Sequence, residues 1–120
     1  MAWTVDARIP LLVVADAAGL AAALAGGSAA VLAEAPALPV PGAMALESFD
    51  ADMPHAIACT CCNGRSPAAA ALDRLFQARV RGRCGWFTRV VALAGSEVAR
   101  AQIAATLEGD ALTAARFRPA

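Results

Sequence analysis

Three of the four cysteines in this chain lie within four positions, at Cys59, Cys61 and Cys62. Thiolates are preferred ligands of zinc and similar divalent metals, and zinc usually takes four ligands. Adjacent side chains on a regular strand point to opposite faces, whereas a turn containing Gly64 lets the three thiols converge. The spacing therefore predicts a site for a zinc-class divalent metal. The alternative is that these thiols are small buried side chains at a strand end.

The cysteine cluster supplies three ligands, so a fourth must come from elsewhere. The candidates are Glu34, His55, Cys84 and water. The helix that begins at Ser66 and Pro67 favours anions at its N-terminus, which lowers the pKa of nearby thiols. Thiolate formation is therefore expected at this position of the chain.

The elements that must position this cluster alternate between strands and helices. The apolar runs predict strands at residues 9–15, 29–33, 44–49, 55–58, 87–93 and 112–117. Capping residues and helical spacing predict helices at residues 17–25, 67–81 and 97–107. Such alternation is typical of a small three-layer α/β domain with a mainly parallel sheet. Because ligand sites in these sheets lie at the carboxyl ends of strands, we expect the cysteines and Asp16 at that edge.

The order of these segments resembles the N-terminal part of CobW-type GTPases, a family associated with metal delivery and cobalamin synthesis. Residues 9–14 are similar to the strand that leads into that family's phosphate loop, and residues 31–34 to its Asn-Glu-Phe-Gly strand. Residues 59–65 match its C-x-C-C-x-x-R signature in full, and residues 87–91 resemble its F-D-R-V-V strand. The resemblance implies a single CobW-like domain over residues 1–120, with a truncated fold of the P-loop NTPase type.

The phosphate loop itself is degenerate. Residues 16–23 retain only Gly19 of the loop glycines, and the chain has no lysine to reach the nucleotide phosphates. The magnesium-binding Ser or Thr is also missing. We therefore expect no bound nucleotide and no GTP hydrolysis.

The resemblance also implies the metal binding that is associated with this family. The family's C-x-C-C element is associated with zinc or related metals. The resemblance therefore implies that Cys59, Cys61 and Cys62 are the ligand set here. The family's motif glutamate corresponds to Glu34, a possible additional ligand. The expected function is metal handling or regulation without catalysis.

The same residues also fit a second pattern, C-x5-R followed by Ser-Pro. It resembles the anion loop of low-molecular-weight tyrosine phosphatases and arsenate reductases. In that chemistry Cys59 would be the nucleophile, Arg65 the anion clamp and Ser66 a donor to the thiolate. The chain contains no Asp-Pro pair to supply the general acid of those enzymes.

Composition limits the remaining classes. Ten arginines balance ten acidic residues, so the formal net charge is zero, which argues against nucleic-acid binding. No apolar run is long enough to span a membrane, and the absence of a basic N-terminal signal makes the cytoplasm the expected compartment.

The expected partner is a divalent metal. A non-catalytic interaction module, with a partner protein or through self-association, remains an alternative. Trp3 and Trp86 either are buried in the core or mark a partner surface. The arginines at 79, 81 and 83 could form an anion or partner patch, but a solvated helix end is the expected arrangement.

Overall fold

A computed structural model describes residues 6–52 and 65–120. It contains a five-stranded, all-parallel sheet in the order β3-β2-β4-β1-β5. The strands are β1 (Ile9–Val14), β2 (Ala30–Glu34), β3 (Leu46–Phe49), β4 (Val90–Leu93) and β5 (Phe117–Pro119). The helices are α1 (Ala17–Ala25), α2 (Pro67–Val80), α3 (Glu97–Gly109) and α4 (Ala111–Arg116). The predicted α/β class with a parallel sheet is confirmed.

Two apolar cores, one on each face of the sheet, create the three layers. On one face Leu11 and Leu32 pack with residues of α2 and α3 such as Leu72 and Ile103. On the other face Val31 and neighbouring strand residues pack against α1 and the segment that precedes β3. The central strands β2 and β4 are almost completely buried and, apart from Glu34 at the end of β2, apolar, as expected for strands covered by helices on both sides.

Each helix begins at a residue whose side chain accepts a hydrogen bond from the third residue beyond it. These N-caps are Asp16, Ser66, Ser96 and Asp110. This bond satisfies a backbone N–H that has no partner within the helix. The predicted helix starts after Asp16, Ser66 and Ser96 are therefore confirmed.

The end of the chain differs from the sequence prediction. Residues 112–117 were expected to form a strand, but Asp110 caps the short helix α4 and the strand begins only at Phe117. The predicted strand at 87–93 is also shorter, since β4 begins at Val90. The predicted strand at 55–58 lies outside the described residues.

Parallel pairing brings the carboxyl ends of the strands to one side of the sheet, here called the carboxyl edge. It comprises the residues directly after β1 to β4, including Asp16, Ala51 and Ser96, together with Glu34 at the end of β2. The opposite side, where the strands begin, is called the amino edge. Within residues 6–52 and 65–120, no helix combines the length and the apolar character that crossing a membrane requires.

Candidate functional site

Glu34 lies at the carboxyl edge and joins two elements of the fold. One of its carboxylate oxygens accepts a hydrogen bond from the backbone N–H of Ser96 at 3.0 Å, and the other accepts from the Ser96 hydroxyl at 2.6 Å. The Ser96 oxygen in turn accepts from the N–H of Ala99 in the first turn of α3. The bonds from Ser96 lower the pKa of the Glu34 carboxyl group. Glu34 is therefore a carboxylate at neutral pH and fixes the start of α3 to the end of β2.

A cavity of about 300 Å³ opens beside Glu34, between the start of α1 and the proline-rich segment after β2. Its walls are almost entirely apolar, and Glu34 is the acidic residue among them. The lining residues are Ala17, Leu20, Ala33, Glu34, Pro36, Ala37, Leu38, Pro39, Val40, Pro41 and Leu93.

The start of α1 directly follows β1 at the carboxyl edge. The Asp16 carboxylate accepts a hydrogen bond from the N–H of Gly19 at 2.7 Å, so a negative charge lies in the first turn. A Cβ added at Gly19 would approach both the Asp16 carboxylate and the Val14 side chain to 3.2 Å. Packing against these two residues is therefore sufficient to explain a glycine at this position.

Arg65, the last residue of the C-x-C-C-x-x-R signature, is engaged by two carboxylates. Its Nε and one terminal nitrogen donate to the two oxygens of Asp110 at 2.8 and 2.6 Å. Its other terminal nitrogen donates to Asp73 at 2.6 Å. Arg116 also donates to Asp73, at 2.9 Å, and its guanidinium lies 4.2 Å from the ring centroid of Phe76. The network ties the start of α2 to the α3–α4 junction.

Ser66 is engaged in the same region. Its hydroxyl oxygen accepts from the N–H of Ala69 and shares a 2.8 Å hydrogen bond with the hydroxyl of Thr106 on α3. The phosphatase alternative requires Arg65 to bind an anion and Ser66 to donate a hydrogen bond to a thiolate. Both side chains bind other parts of the protein, so the described residues give that alternative no support.

Gln102 of α3 links the two chain segments that flank the cysteines. Its side-chain oxygen accepts from the N–H of Ala68 at 3.0 Å, and its side-chain nitrogen donates to the carbonyl of Ala51 at 3.4 Å. Ala51 follows β3 and Ala68 lies in the first turn of α2. One side-chain amide therefore holds the chain on both sides of residues 53–64 at the carboxyl edge.

Cys84 lies at the amino edge of the sheet. It follows the C-terminus of α2, a helix of 14 residues and therefore about 21 Å long, whose first turn lies at the carboxyl edge. Its thiol is half-buried and packs against the core. Because Glu34 and Cys84 lie at opposite edges, they are not positioned to share one metal ion.

The predicted ligands Cys59, Cys61 and Cys62, and the candidate His55, lie outside the described residues. Within 6–52 and 65–120, no group of three or more His, Cys, Asp or Glu side chains is arranged to hold a metal ion. The sequence pattern does not predict that Arg65 pairs with Asp73 and Asp110. Asp110 lies 45 positions from Arg65, so no local pattern indicates that these two residues meet.

Comparisons of the chain with protein-family models, with curated proteins and with solved structures give no match. The resemblance to CobW-type GTPases therefore rests on the order of the sequence motifs.

Proposed function

We propose that this protein binds a zinc-class divalent metal through Cys59, Cys61 and Cys62, in a metal-handling or regulatory role. The observation that carries the proposal is the position of the segments flanking the three thiols. Gln102 holds Ala51 and Ala68 at one place on the carboxyl edge. A chain fixed at both ends loses less conformational entropy when its side chains gather around a metal.

Glu34 is the proposed fourth ligand. It pairs in register with Phe49 at the end of β3, only four positions before residue 53. Its ionised carboxylate is suited to a divalent cation. Each of its oxygens accepts one hydrogen bond from Ser96 and retains a second lone pair. Hydrogen bonds of this kind commonly orient carboxylates that bind metals.

A binding role without nucleotide turnover is supported by the start of α1. The chain has no lysine, and the Asp16 carboxylate is bound in the turn where a nucleotide's phosphates would need positive charge. The proposed activity is therefore retention or transfer of the metal itself.

Metal content after purification under reducing conditions tests the proposal. We expect about one zinc-class ion per wild-type chain, in accord with a single four-ligand site. The Cys61→Ser/Cys62→Ser variant should carry almost none, and Glu34→Gln should retain less than wild type. Cys84→Ser is the matched control, because it removes a thiol at the other edge of the sheet, and it should retain full occupancy. Equal metal content in wild type and the double variant would refute the proposal.

A further inference from the structure

The C-terminal end of α2 has a surface that the metal proposal does not use, here called the arginine–tryptophan surface. It comprises Arg79, Arg81, Arg83 and Trp86. Gly82 has a φ of +70°, which turns the chain at the helix end. The N–H of Arg83 then donates to the carbonyl of Ala78 at 2.9 Å. The turn brings the residues after the helix back over its last turn.

Arg79 and Trp86 are stacked. The guanidinium carbon of Arg79 lies 3.7 Å from the Trp86 ring centroid and 5.5 Å from that of the buried Phe87. Such a cation–π contact holds the indole in a defined orientation. Trp86 nevertheless remains 62% exposed, which is unusual for the largest apolar side chain. The stack therefore presents a rigid aromatic ring to the surroundings.

The charges of this surface are not compensated within the part of the chain that the structure describes. There, seven of the ten arginines bind carboxylates or backbone carbonyls: Arg8, Arg65, Arg74, Arg89, Arg100, Arg116 and Arg118. The other three are those of the arginine–tryptophan surface. The Nε of Arg79 is buried without a hydrogen-bond partner, and burial lowers the pKa of this guanidinium.

The helix dipole explains part of this arrangement but not all of it. Positive side chains at a helix C-terminus are favourable whether or not a partner binds. The dipole gives no reason for an exposed tryptophan, nor for Val80, the last residue of α2, which is 47% exposed. Tryptophan and arginine together are the residues most enriched among the energetic centres of protein interfaces.

We propose that the arginine–tryptophan surface binds an acidic segment of a partner protein that also carries apolar side chains. The partner's carboxylates would pair with Arg81 and Arg83, whose side chains are exposed. Its apolar side chains would cover Trp86 and Val80. A nucleic acid fits less well, because the whole chain has no net positive charge.

A fluorescein-labelled decapeptide of alternating glutamate and leucine is the probe, measured by anisotropy with full-length protein at low salt. We expect saturable binding that weakens at least tenfold in Trp86→Ala and in Arg81→Gln/Arg83→Gln. The matched control is Arg8→Gln/Arg74→Gln, which removes the same charge elsewhere and should change the affinity less than twofold. A Trp3→Phe background lets the fluorescence of Trp86 report binding directly, and thermal unfolding verifies that each variant is folded.

Three results would overturn the inference. The first is no saturable binding of the glutamate–leucine peptide, or equal binding of a glutamine–leucine peptide. The second is an equal loss of affinity in the control variant. The third is tighter binding of a ten-nucleotide oligothymidine, which would assign the surface to nucleic acid. The metal content of these variants is a separate measurement, so failure of this proposal leaves the metal proposal unaffected.

Discussion

The two ends of α2 use arginine in opposite ways. At its N-terminus Arg65 is only 18% exposed and makes hydrogen bonds to both Asp73 and Asp110. At its C-terminus Arg79, Arg81 and Arg83 form no salt bridge with any described residue, and Arg79 stacks instead on an exposed tryptophan.

This difference separates arginine that stabilises the fold from arginine that is available to a partner. Arg65 joins α2 to the α3–α4 junction, so its removal would leave Asp110 without a salt-bridge partner among the described residues and Asp73 with Arg116 alone. Arg81 and Arg83 at the other end are exposed and bind no described carboxylate, so their removal should leave the fold intact. Substitutions at the two ends of α2 should therefore differ in their effect on stability.

Arg65→Ala should lower the free energy of unfolding by about 2 kcal/mol, because it leaves the half-buried Asp73 and Asp110 without their shared cation. Urea denaturation measures the change. The matched control is Arg74→Ala, which breaks the exposed Arg74–Glu47 pair and should cost no more than about 0.5 kcal/mol. Equal losses in the two variants would contradict the structural role of Arg65.

The same network predicts a loss of stability in acid. The Arg65 guanidinium holds the pKa of the Asp110 carboxyl group well below its usual value of 3.8. The folded protein therefore binds fewer protons than the unfolded chain in this range. The stabilisation is complete above about pH 5 and is lost as the pH falls through and below 3.8.

Unfolding by urea between pH 2.5 and 6 measures this dependence. Asp110→Asn should flatten the slope without abolishing it, because Arg8 lowers the pKa of Asp6 to about 2 and Ser96 lowers that of Glu34. A slope identical to that of wild type would show that Asp110 is not held ionised by the fold.

Ser66→Ala should cost about 1 kcal/mol, because it removes both the cap of α2 and the hydrogen bond to Thr106. Thermal unfolding detects such a change. Ser66→Thr retains a hydroxyl and provides the comparison. If the Ser66→Ala and Ser66→Thr variants are equally stable, the hydroxyl does not stabilise the N-terminal end of α2.

Trp86→Ala should have the smallest effect on stability, less than about 0.5 kcal/mol, because the side chain is mostly exposed. A loss of 2 kcal/mol or more would mean that the indole belongs to the core, and the contrast between the two ends of α2 would then fail. Chemical denaturation at pH 7 is the measurement.

Local signals in the sequence were enough to predict most of the elements. Asp16, Ser66 and Ser96 each stand three residues before the N–H that they cap, and the apolar runs of β1 and β2 are continuous. The same signal was present at Asp110, which accepts from Thr113, but the apolar residues at 112 and 117 suggested a strand instead. At this position the helix cap, and not the apolar composition, determines the secondary structure.

Contacts between distant residues could not be predicted in this way. The Arg65–Asp110 and Glu34–Ser96 pairs span 45 and 62 positions. They depend on strand order, which the sequence pattern leaves open. Glu34 was predicted as a candidate ligand on the basis of a motif, whereas its bonds to the start of α3 became evident only from the fold.

Titration of the reduced protein with Co²⁺, followed by the absorption of cobalt–thiolate bonds, tests the central claim most directly. We predict that wild type and Cys84→Ser bind one equivalent with the same thiolate absorption. The Cys61→Ser/Cys62→Ser variant should lose most of that absorption, and Glu34→Gln should bind more weakly with the thiolate bands retained. Thiolate absorption that is absent from wild type, or unchanged in the double variant, would contradict the account.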